Sequence, residues 1–84
     1  MQTNTTLDIN PFTSSAESIF ELGMRYCSGA GVLQNLVQAH KWFNIAAMKG
    51  SDDAKRYRLD IAVEMSADEI AEAQRMARAA MTLH

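Results

Sequence analysis

The stretch AESIFELGMRYCSGAGVLQNLVQAHKWFNIAAMKGSDDA, from Ala16 to Ala54, decides the fold. At about 100° per residue, the helical step, Ala16, Ile19, Phe20, Leu22, Gly23, Met24, Tyr26 and Cys27 gather on one broad side of its first half. Glu17, Ser18, Glu21, Arg25 and Ser28 fill the remaining arc. An apolar arc that wide exceeds what one neighbouring helix covers, so the pattern predicts two neighbours and a narrow polar strip in water. Ser14-Ser15-Ala16-Glu17 reads as a start signal, a hydroxyl cap with Glu three residues later. Gly29 reads as the stop, because glycine takes the left-handed conformation at a helix end without a steric penalty. Gly31 lets the connection turn sharply, and Val32 and Leu33, too apolar for a solvated loop, are expected to plug the end of the hairpin.

The second half repeats the logic. Asn35 caps a second helix with Gln38 in the partner position, and Leu36, Ala39, Trp42, Phe43, Ala46 and Ala47 form its main stripe. Gly50 ends it, and Ser51-Asp52-Asp53 opens a third helix with acid at its positive N-terminus. Gly23 in mid-helix costs about 1 kcal/mol of helix propensity relative to Ala, which calls for a packing reason. The simplest is a close crossing of the partner helix, with Ala39, Ala46 and Ala47 leaving room for Tyr26, Trp42 and Phe43.

The spacing Leu22-Gly23-x-x-Tyr26-x-x-Gly29-x-Gly31-Val32, then Ala39-x-x-Trp42, then Ala46-Ala47-x-x-Gly50 and Ala54, resembles a Sel-one-like repeat. These are short α/α relatives of the tetratricopeptide repeats. Asn35 departs from the Asp usual in the family, and either residue caps a helix. The resemblance implies a right-handed α/α superhelix that binds other proteins, with the first helix of each hairpin lining the concave face. Carried onto this chain, that face presents Ser18, Glu21 and Arg25 from the first helix, and Arg56 and Asp60 from the third. Their alternating signs suit a partner segment of mixed charge.

Beyond the repeat, Ala54, Tyr57, Ile61 and Met65 form a third stripe, but Leu59 stands where Gly23 stood and no second Leu-Gly-x-x-Tyr follows. Ser66-Ala67-Asp68-Glu69 is a capping box that starts a fourth helix, with Ile70, Ala73, Ala77, Ala80 and Met81 inward and Asp68, Glu72, Arg75 and Arg78 outward. The expected fold is all-α: a short solenoid of two helical hairpins, one full repeat and a diverged second, with helices over about 15–28, 36–49, 52–64 and 67–82. Residues 1–14, MQTNTTLDINPFTS, read as a flexible arm before a repeat domain at 15–84. Disorder is expected to about Thr6, followed by partial docking through Leu7, Ile9 and Phe12, with Pro11 stiffening the arm.

Two hairpins make a thin array, since repeats bury their faces on one another. The surplus apolar surface is Val37, Ile45 and Met48, with Lys41 among them, on the second helix, and Leu59 and Val63 on the third. Either these faces bury against each other and the fourth helix, or they meet a second chain in a homodimer.

Composition narrows the function. The chain has 84 residues and a net charge of −2, and it lacks the basic imbalance of a general nucleic-acid binder. The N-terminal stretch shows no basic region followed by an apolar run, and no segment approaches the ~18 apolar residues of a membrane span. A single cysteine favours a reducing compartment, so a cytoplasmic location is expected. His40, His84 and Cys27 offer no metal-ligand spacing, and no cofactor is expected. Cys27 reads as a small core residue and His40 as a solvated residue at the edge of the polar side. The acids Asp60, Glu64, Asp68, Glu69 and Glu72 read as a solvated rim rather than an acid–base pair. Lys55-Arg56-Tyr57-Arg58 is a short basic run that could contact phosphate, but four residues in an acidic chain carry little weight and Tyr57 is better used in the core. The family resemblance implies a protein–protein interaction module, adaptor or regulatory in role, and no constellation of catalytic residues points to an enzyme. The alternative is an assembly protein that acts by homodimerisation with no groove ligand.

Overall fold

The computed structural model describes residues 9–82, which form α1 (Ala16–Ser28), α2 (Leu36–Met48), α3 (Asp52–Ala62) and α4 (Ala67–Ala80). Each helix begins where a side-chain oxygen accepts an otherwise free amide. Ser15, Asn35, Ser51 and Ser66 accept from the N–H groups of Ser18, Gln38, Ala54 and Glu69. At Ser66 the capping box is complete, because Glu69 accepts in return from the Ser66 N–H at 2.8 Å. At α1 the expectation is corrected: Ser15, not Ser14, is the cap. Glu17 then falls one place short of the position from which a reciprocal bond is made.

The α1–α2 connection is closed by polar groups rather than by an apolar plug. Gly29 takes a φ of 84° and its N–H donates to the Arg25 carbonyl at 2.7 Å. The Asn35 N–H donates to the Tyr26 carbonyl and the Gln34 side-chain amide to the Cys27 carbonyl, both at 2.9 Å. The last carbonyls of a helix need donors that valine and leucine side chains lack. Leu33 is accordingly turned outward at 90% exposure, and Val32 is half-buried.

The hub is α2. All three other helices pack on it, α1 also touches α3, and α4 rests chiefly on α2. Phe43 and Ile45 stand roughly 200° apart around α2, yet both are fully buried, because neighbours cover both flanks. Ile45 is thus core, a correction to its place on a self-association face. Val37 packs against the same core and Lys41 is half-buried, whereas Met48, Leu59 and Val63 remain exposed. Alanines allow the close approach: Ala39, Ala46, Ala54, Ala73 and Ala77 have no exposed surface. The expected close crossing at Gly23 is present, and its partner is Phe43.

Residues 9–14 are held against this bundle. Ile9 packs on the core, the chain turns over Asn10–Ser14, and the Lys49 ammonium donates to the Pro11 carbonyl at 2.9 Å. Phe12 stays 44% exposed, so its docking is slight. The stretch to Thr6, Leu7 and His84 lie outside the described residues.

Candidate functional site

The first turns of α1 and α3 lie side by side and leave a cleft of about 400 Å³ between them. From α1 it is lined by Ala16, Glu17, Phe20 and Glu21, which share one helix face by their i, i+1, i+4, i+5 spacing. The α3 wall is Ser51, Asp52 and Asp53. Phe20 forms the apolar floor and is held from beneath, its ring centroid 5.5 Å from Tyr57 and 5.7 Å from Phe43. Tyr57 and Phe43 complete the triangle at 5.8 Å. A smaller cleft of about 260 Å³, lined by Arg56, Tyr57, Leu59 and Asp60, opens on α3.

The expected partner-binding residues divide between these features. Glu21 lines the larger cleft, and Arg56 and Asp60 line the smaller one. Ser18 is exposed but bonded to the Ser15 hydroxyl at 3.0 Å, as part of the α1 start. Arg25 is drawn to the far end of α1, where its guanidinium lies 3.5 Å from the Ala30 carbonyl. The larger cleft is therefore acidic rather than mixed in charge. Glu17, Phe20, Asp52 and Asp53 were not legible as site residues, because first-turn acids read as helix caps and an aromatic on an apolar arc reads as core.

The supposed basic cluster is dispersed. Lys55 lies 3.8 Å from Asp52, Arg56 pairs with Asp53, and Arg58 donates to the Asn44 side-chain oxygen at 2.5 Å. Tyr57 belongs to the aromatic floor. Among the acids of the α3–α4 region, Glu69 is used in the cap and Glu72 pairs with Arg75.

His40 is a correction. It is 2% exposed, not solvated, because the flank of α2 that carries it is covered by neighbouring helices. Burial first, and then the nearby Arg58 charge, hold its imidazole below the usual histidine range. Its Nδ1 is buried without a hydrogen-bond partner. Cys27 is half-buried, and burial, with Glu64 second, pushes its thiol up, which disfavours the nucleophilic thiolate. Burial also lowers the ammonium of Lys41, which lies 4.1 Å over the Trp42 ring. Among the described residues no group of His, Cys, Asp and Glu could hold a metal ion, and no helix is long and apolar enough to cross a membrane.

Comparison with known proteins agrees with the hairpin. Residues 16–51, from the first residue of α1 to the cap of α3, match the family model described as Sel1 repeat. No curated protein and no solved structure matches the chain. Sel1 repeats generally mediate protein–protein interaction and are not catalytic.

Proposed function

We propose that this chain, which carries a Sel1 repeat over residues 16–51, is a non-enzymatic adaptor that holds a segment of another protein on the face shared by α1 and α3. The observation that supports it is the cleft over Phe20, a concavity with an apolar floor and a polar rim between the first helices of successive hairpins. Helical repeat arrays use such surfaces for extended ligands. Glu21, Arg56 and Asp60 are the sequence-derived residues retained for this role, with Glu17, Phe20, Asp52 and Asp53 added. A free, half-buried thiol is at home in a reducing cytoplasm, where we place the protein. Photo-crosslinking tests the site. A photoreactive residue substituted at Glu21 is expected to capture a discrete polypeptide in cells. Capture from exposed Gln74 on α4 but not from Glu21 would overturn the assignment.

A second reading is self-association through the end of α3, where Leu59 and the C-cap residue Val63, four positions apart, are 65% and 85% exposed. Sedimentation equilibrium at tens of micromolar tests it, and a single 9.3 kDa species would reject it.

A further inference from the structure

We infer that the segment received by the α1–α3 cleft carries an aliphatic side chain flanked by lysine or arginine. The inference rests on the adaptor reading and specifies the chemistry of its partner.

The floor argues for the aliphatic group. Ala16 is small, Phe20 presents a ring edge or face half-open to solvent, and about 400 Å³ is room for one side chain with part of its backbone. The ring is braced by Tyr57 and Phe43, so the floor is already formed without a ligand. A preformed apolar surface needs little ordering when it is covered.

The rim argues for the cations. Every charged residue that lines the cleft is a carboxylate: Glu17, Glu21, Asp52 and Asp53. Two of them are already paired on their own helix, Asp52 with Lys55 and Asp53 with Arg56. Glu17 and Glu21 have no ion pair among the described residues, although they stand one turn apart on the same helix face. Like charges at that spacing repel. Glu17, Asp52 and Asp53 each lie in a first turn, where they complement their own helix N-terminus. Glu21 lies beyond that turn, and Arg25, the next charge along α1, is engaged with the Ala30 carbonyl. A cation of a bound segment would relieve the Glu17–Glu21 repulsion and give Glu21 its partner. An acidic segment would meet four carboxylates, and a purely apolar one would leave them beside a desolvated rim.

The probes are three pools of acetylated, amidated nonapeptides with a central leucine. The flanking positions are drawn from Lys, Arg, Gly and Ser in the first pool, from Asp, Glu, Gly and Ser in the second, and from Gln, Gly and Ser in the third. Each is titrated into the isotopically labelled full chain while the backbone amide spectrum is followed. The expected result is saturable shifts at Glu17, Phe20, Glu21 and Ser51–Asp53 with the basic pool, weakening as salt rises. Glu17→Gln with Glu21→Gln, at two exposed positions, is expected to weaken that binding about tenfold with little change in the thermal melt. The charge lost from the α1 N-terminus at Glu17 is offset by relief of the Glu17–Glu21 repulsion. Equal binding of the neutral or acidic pool at these amides would overturn the inference and leave the adaptor reading standing. So would basic-pool binding that the double variant does not change. Shifts confined to Leu59 and Val63, or none with any pool, would overturn both.

Discussion

A β-carbon on Gly23 would lie 2.6 Å from two ring carbons of Phe43. The ring has no exposed surface and touches both Phe20 and Tyr57, so it cannot swing aside cheaply. Gly23→Ala gains about 1 kcal/mol of helix propensity but meets an overpacking cost of about 1–3 kcal/mol. The expected net effect is destabilisation, and Gly23→Leu should cost several kcal/mol. Each kcal/mol lowers the melting temperature by about 4–8 °C in a domain of this size. Phe43→Leu in the Gly23→Ala background should cost less than the two changes summed, since the clash disappears.

His40 gives the fold a dependence on acid. Its folded-state affinity for protons is lowered, so below the unfolded value of 6.5 the unfolded chain binds more protons than the folded one. The stabilisation is therefore fully present above pH 6.5 and is lost as pH falls from there through the folded value. Urea titrations between pH 7.5 and 5 should show this loss, and His40→Leu should flatten it. Arg58→Gln removes the positive charge that adds to the shift, so the dependence should become shallower. An identical slope in the parent and in His40→Leu would remove His40 as its cause.

Ile45 and the pair Leu59 and Val63 should behave oppositely. Ile45→Glu buries an unpaired carboxylate in the hub helix and should unfold the chain, read as loss of helical circular dichroism. Leu59→Glu with Val63→Glu changes two exposed positions and should leave the melt within about 0.5 kcal/mol. Any oligomer seen by sedimentation that survives the second pair does not depend on Leu59 and Val63.

Lys49 ties residues 9–14 to the end of α2. Lys49→Met removes the ammonium that reaches the Pro11 and Phe12 carbonyls. A hydrogen bond to a charged group is worth about 1.5–3 kcal/mol when buried and less here, where one end is exposed. Faster amide exchange at Thr13 and Ser14, with α3 and α4 unchanged, is the expected readout.

Local chemistry made the helices legible in the sequence. Ser51, Asn35 and Ser66 start helices, Gly29 stops one, and the apolar stripes point inward, because caps and periodicity act over a few neighbouring residues. The glycine at 23 also announced a close crossing, since nothing local rewards it. Other features depended on which helix lies across from which. Whether Ile45 faces water or core is undetermined by α2 alone, whose second apolar flank needs a neighbour that only the packing of other helices on α2 supplies. The same is true of His40, polar by composition and buried by position. The family resemblance puts Arg25 on the binding strip, but the Ala30 carbonyl at the turn captures its guanidinium. The cleft joins Glu17, Phe20 and Glu21 to Asp52 and Asp53 across more than thirty positions of chain. Sequence alone determined the four helices, the caps at Asn35, Ser51 and Ser66, and a close crossing at Gly23. Tertiary structure decided the cleft and the burial of Ile45 and His40, because both depend on surfaces supplied by residues distant in the chain.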